Sequence, residues 1–156
     1  MTLYFLALVI GIVAGLRAFI APAAVSWLAY TNPNHFLGIW SSFMTSVWTA
    51  GIFSILVIIE LVTDQLPKTP SRKVPMQFIP RLLSGGFCGA VLGAPSGNSI
   101  GCAAVGTVGA VIGTFGGFDF RLRLTKLFGG KDSPAAISED LTAVAIAAVA
   151  VVTMWA

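Results

Sequence analysis

Apolar residues in this chain fall in long blocks separated by short polar links, with neither strand-like alternation nor an amphipathic helical stripe. Apolar blocks near 20 residues are the signature of membrane-spanning helices. The first block runs from Leu3 to Tyr30 and holds one charge, Arg17. As a single helix it would be about 42 Å long, longer than a hydrocarbon core of about 30 Å. It must tilt, protrude or break. The pattern predicts a break between Gly15 and Pro22, because a proline inside a helix lacks a donor and clashes with the carbonyl four residues earlier. The small residues Ala21-Pro22-Ala23-Ala24 resemble a signal-peptide cleavage site. No basic n-region precedes the block and Arg17 lies inside it, so it reads as a retained membrane segment.

A polar, turn-prone link follows from Thr31 to Ser42, and then a second apolar block from Phe43 to Leu66 that ends in Glu60, Asp64 and Pro67. Lys68 to Pro80 contains Pro70, Pro75 and Pro80 and reads as a loop. The third block, Arg81 to Ala94, reaches only about 21 Å as a helix. It either spans obliquely or is re-entrant. Pro95-Ser96-Gly97-Asn98 is a turn, and Ser99 to Phe118 makes a fourth block, so the third and fourth form a helical hairpin. Asp119 to Pro134 reads as a basic link. Ala135 to Trp155 is the fifth block, with Pro134 at a first-turn position. The expected fold is an all-α, polytopic transmembrane bundle of about five spans, one domain over residues 1–156, with a Gly-rich hairpin in its second half and the first and third helices broken or re-entrant.

Composition sharpens this reading. Of the 156 residues 56% are hydrophobic and only 10% charged, against about 25% charged in soluble domains. Too few polar groups exist to clothe a soluble globule, and disorder needs the opposite composition. The net charge of +3 could suggest nucleic acid, but the few basic residues lack the interleaved exposed aromatics of a single-strand groove. Eight of the nine basic residues lie in 68–81 and 121–131, and the links at 31–42 and 95–98 hold none. Cytoplasmic loops carry the Lys and Arg excess. The basic loops 68–81 and 119–134 are therefore expected in the cytoplasm. Five spans put the N-terminus inside and the C-terminus outside; a first block that folds back puts the N-terminus outside.

Glycines recur every four residues at Gly85, Gly89, Gly93, Gly97 and Gly101, and again at Gly109, Gly113 and Gly117. On a helix these line one side and let backbones approach closely. Gly85, Gly89, Gly93, Gly109, Gly113 and Gly117 are the expected packing residues, within the hairpin and its neighbours or between copies in a homo-oligomer.

The chemistry lies in charges inside apolar blocks. Each costs about 2.5–3.5 kcal/mol at a helix centre on the insertion scale, so each needs a partner or a wet cavity. Glu60 and Asp64 share a helix face at i, i+4. Glu139 and Asp140 sit in the first turns of the last helix, where carboxylates also suit the macrodipole. The topology sets both acidic pairs at one depth, facing Arg81 and Arg17. This set (Arg17, Glu60, Asp64, Arg81, Glu139, Asp140) can hold a structural ion-pair network, or bind a proton, a small cation or a small charged solute. His35, the only histidine, lies in a polar link, and Cys88 and Cys102 have no metal or redox spacing. No HExxH, GxSxG or Walker A motif occurs, so an enzyme, a metal centre and a cofactor are not expected.

The strings Gly15-Leu16-Arg17-Ala18-Phe19 with Pro22, Glu60 to Arg72 (ELVTDQLPKTPSR), and Ala135 to Asp140 (AAISED) resemble an uncharacterised family of small bacterial multi-pass membrane proteins. Ser138 stands where that family often has Ile or Leu. The resemblance implies an inner-membrane protein and supplies no activity, substrate or cofactor. Two functions are expected to compete. One is a transporter- or channel-like protein with its site at the charged cluster. The other is a non-transporting scaffold or homo-oligomer packed through glycine faces. The bilayer is a partner in both, and nucleic acid in neither.

Overall fold

A computed structural model describes residues 2–37, 39–64, 75–127 and 132–153. All regular structure among them is helical. The α-helices are α1 (Thr2–Leu16), α2 (Ile20–Thr31), α3 (Val47–Thr63), α4 (Pro75–Gly93), α5 (Ser99–Leu127) and α6 (Asp132–Thr153). Short 3-10 turns occupy Pro33–His35, Trp40–Thr45 and Ala94–Ser96.

Three segments are long and apolar enough to cross a membrane: Gln77–Ser96, Ser99–Leu127 and Ala136–Thr153. The helices α1, α2 and α3 are apolar but shorter, at 15, 12 and 17 residues. The expected set of five spans therefore needs revision, beginning with the first block. Its helix stops after Leu16 and a new one starts at Ile20, so it breaks inside the predicted window. Pro22 is only the third residue of α2, in the first turn, where its missing donor costs nothing. The proline begins a helix instead of interrupting one. The new helix also turns back. Val25 and Leu28 of α2 face Leu6 and Ile10 of α1 around one narrow void; in a straight helix Val25 would lie about 22 Å from Ile10.

Three further boundaries differ from the pattern. Helix α4 starts at Pro75 and carries Pro80 inside it, so 75–80 is not loop. Pro75 opens the first turn, and Pro80 forfeits one bond early in a 19-residue helix. That extension makes α4 about 28 Å long and continuous from Pro75 to Gly93, so the expected break in the third helix is absent. Helix α5 continues through Asp119, Arg121, Arg123 and Lys126 to Leu127. No Gly or Pro lies between Gly117 and Gly129, and Arg, Leu and Lys are good helix formers. With α6 starting at Asp132, most of the expected link 119–134 is helix. The end of the second block at 65–67 and the expected loop residues 68–74 and 128–131 lie outside the described residues.

The predicted hairpin of α4 and α5 is present. Gly97 adopts a φ of 71°, the left-handed conformation that only glycine reaches without strain, and there the chain reverses. Helix α1 lies parallel to α5, from Tyr4 against Gly101 to Gly15 against Ala110 and Thr114. It packs on α4, α5 and α6, and from Val13 to Leu16 every residue is buried. Helix α3 is peripheral: only Ala50 is buried, while Ile52, Ile55, Ile58, Ile59 and Val62 are exposed. Apolar exposure on that scale fits lipid, not water.

Glycines form a seam through α1, α4 and α5. A Cβ on Gly89 would strike the Cys102 carbonyl, and one on Gly85 would meet Gly106 and Ala110. Gly109 and Gly113 abut the backbone of α1 at Leu8 and Ile12, and Gly93 abuts Asn98 at the turn. Gly117 is buried. Without a hydrophobic driving force between helices in lipid, this closeness supplies the dispersion contact that holds them together.

Candidate functional site: the charged break

The chain between α1 and α2 leaves backbone groups without helical partners. Helix ends in an apolar setting must find other donors and acceptors, and here charged and hydroxyl side chains from α3, α4 and α5 supply them. Arg81 of α4, 2% exposed, donates from Nη1 to the carbonyls of Gly15 (2.7 Å) and Leu16 (2.5 Å). Glu60 of α3 accepts the amide of Ala18 on one carboxylate oxygen (2.7 Å) and that of Phe19 on the other (3.0 Å). The Ser84 hydroxyl donates to the Ala18 carbonyl (2.5 Å). Thr114 of α5 donates to the Gly15 carbonyl at 3.3 Å.

The signs of these charges match the helix ends. A helix C-terminus is partially negative and an N-terminus partially positive. The guanidinium of Arg81 sits on the carbonyl end of α1, and the carboxylate of Glu60 on the amide end of α2. Phe19, at the N-cap of α2, makes no side-chain cap of its own. Glu60 is thus a cap delivered from a helix 41 residues away in sequence.

Arg17 lies in the break and is fully buried. Its Nε donates to Asp140 Oδ1 at 2.6 Å. Nη1 pairs with Asp64, and Nη2 with Asp140. One guanidinium therefore ties the end of α3 to the third turn of α6, which begins at Asp132 and so carries Glu139 and Asp140 deeper than the first turns expected of them. Glu139, beside Asp140, is fully buried as well. All six charged positions picked out from the sequence fall at this end of the bundle.

The six do not share one chamber. A cavity of about 350 Å³ opens between the break, α3 and α4, and Glu60, Asp64, Gln77 and Arg81 line it with Ala18 and Phe19. At about 30 Å³ per liquid water it has room for a small hydrated ion or solute. The two α6 carboxylates lie outside its walls. Sequence reasoning placed Glu60 and Glu139 on equal terms, whereas only Glu60 faces open space. It also missed Ser84, Thr114 and Gln77. Ser84 was detectable, since i and i+3 put it on the face of Arg81. Nothing in the string flags Thr114 among its glycines.

His35 is exposed in the Pro33–His35 turn, and Cys88 and Cys102 are buried free thiols. No family model matches this chain, and no curated protein or solved structure is significantly similar to it.

Proposed function

We propose that this is a small multi-pass membrane protein of transporter- or channel-like type, whose site is the cavity beside the helix break. The observation that carries this reading is the wall of that cavity: Glu60 and Asp64 one helical turn apart, with Arg81 facing the same space. Ionisable groups kept in an apolar bundle and turned toward a cavity mark ion or proton paths, and transporters often bind substrate where helices are discontinuous. Glu60 and Asp64 take up a proton, a small cation or the cationic part of a solute. An occupant of the cavity competes with Arg17 for Asp64, which loosens the tie between α3 and α6. Arg17 and Arg81 act as counter-charges.

In this reading the fold-back of the first block gives six helical legs. The positive-inside tendency sets the basic end in the cytoplasm of a bacterial cell, at its inner membrane, with both termini outside. The family resemblance belongs to the same proposal.

The test is flux into proteoliposomes that hold the purified chain, read with a pH-sensitive dye and with Na⁺ and K⁺ gradients. Asp64→Asn is the informative variant, because Asn keeps the shape and an acceptor for Arg17. Flux in the wild type that falls at least tenfold in Asp64→Asn supports the site. Vesicles no leakier than protein-free ones for all three ions count against transport of these species.

One observation favours the competing scaffold reading. Glu60 and Arg81 already serve backbone groups of the break, so both could be purely structural. A scaffold would not assemble through the hairpin glycines, since Gly85, Gly89, Gly109 and Gly113 face helices of their own chain. The exposed outer side of α3 would serve instead. Under that reading Gly89→Leu damages folding of the single chain, and a bulky or polar change at Ile55 disrupts assembly.

A further inference from the structure

We infer that the end of α5 beyond the break is a docking surface for the headgroups of anionic phospholipids. This is independent of whether the cavity carries a solute.

Tyr4 packs against Gly101, and tyrosine favours the membrane–water boundary. The start of α5 therefore lies near one interface. At 1.5 Å per residue, Asp119 is about 30 Å further along, the thickness of the hydrocarbon core. Arg121, Arg123 and Lys126 then fall about 33–40 Å from Ser99. A tilt of about 20° shortens this by about 2 Å. Headgroup layers occupy that depth.

The surface chemistry agrees. Asp119, Arg123 and Lys126 recur at i, i+4 and i+7, and all three are exposed. Asp119 offsets part of the charge, but it lies at the hydrocarbon edge while the two cations lie further out. Phe120, Leu122 and Leu127 are 41%, 48% and 80% exposed. Large apolar side chains beside a basic stripe suit a helix lying against lipid, with rings and branches at the acyl boundary and cations at the phosphates. A soluble acidic partner would satisfy the cations and leave those apolar groups in water.

The experiment uses the full chain reconstituted in phosphatidylcholine with trace spin-labelled phosphatidylglycerol or phosphatidylcholine. The motionally restricted fraction of each label gives a selectivity ratio. The wild type should prefer phosphatidylglycerol several-fold at low salt and lose most of that preference at high salt. Each basic residue at headgroup depth is worth up to about fivefold. R123Q/K126Q should bring the ratio close to one, and R123K/K126R should keep it, with helicity and melting unchanged in both. Three results would overturn the inference: no preference in the wild type, a preference that survives R123Q/K126Q, or one abolished only by K68Q/R72Q/K73Q.

Discussion

Helix α1 is held in two different ways along its length. From Leu8 to Gly15 it meets α5 through bare backbone, with glycines removing the side chains that would keep the helices apart. At Gly15 to Phe19 it ends in a knot of charged and hydroxyl groups from α3, α4, α5 and α6. Both devices answer the same physical fact, that lipid offers neither hydrophobic drive between helices nor water for orphan polar groups. The seam answers by contact and admits nothing. The break answers with discrete donors and acceptors, and leaves a cavity of about 350 Å³ beside them.

The largest effect should come from filling the seam. Gly89→Leu or Gly113→Leu places a side chain where neighbouring backbone already stands, and a backbone atom cannot swing aside as a side chain can. Overpacking by a few methylenes costs about 1–3 kcal/mol in cores that can adjust. Here the helices must separate along their length, so a loss of the monodisperse folded form in detergent is the expected result. Normal melting of either variant would mean that α1, α4 and α5 are not packed this closely.

Next in size is the charged tie. Arg17→Gln leaves Asp64 and Asp140 facing each other with no cation between them, and both side chains are mostly buried, at 8% and 13% exposed. Removing one partner of a buried pair typically costs about 3–5 kcal/mol. Combining Arg17→Gln with Asp140→Asn should recover part of that loss, with a coupling of about 0.5–3 kcal/mol for directly interacting groups. Additive losses would mean that Arg17 does not bridge α3 and α6, and the contrast between seam and break would lose its centre.

The two regions were not equally legible in the sequence. The seam shows as a four-residue glycine period at Gly85, Gly89 and Gly93, because helix geometry turns that period into one face. The identity of the charged residues at the break was legible too, since membrane energetics make any ionisable group in an apolar block conspicuous. Their division of labour was not. Glu60 caps Ala18 and Phe19 only because the first block folds back, and Pro22 alone cannot say whether it breaks a helix or begins one. The extent of α4 and α5 was misjudged for a related reason. Prolines at 75 and 80 and charges at 121, 123 and 126 read as loop when weighed singly. Yet a helix tolerates proline near its start, and it can carry charge once it leaves the hydrocarbon.

The smallest effects separate capping from charge within the break itself. Glu60→Gln keeps one carbonyl oxygen to accept from Ala18 or Phe19 but removes the negative charge at the amide end of α2. Glu60→Ala removes both. A buried donor left unsatisfied costs about 1–3 kcal/mol, and the interaction of a charge with a helix end is worth about 0.3–2 kcal/mol. The melting temperature should therefore fall for Glu60→Ala, and by about half as much for Glu60→Gln. Ser84→Ala, which frees the Ala18 carbonyl and removes the hydroxyl beside the Cys88 thiol, should cost about 1 kcal/mol and leave flux unchanged. If Glu60→Gln melts like the wild type and still abolishes flux, the carboxylate acts on what enters the cavity more than on the helix it caps. If Glu60→Gln and Glu60→Ala melt alike and well below the wild type while flux persists, Glu60 belongs to the scaffold, and Asp64 becomes the residue on which the transport reading stands.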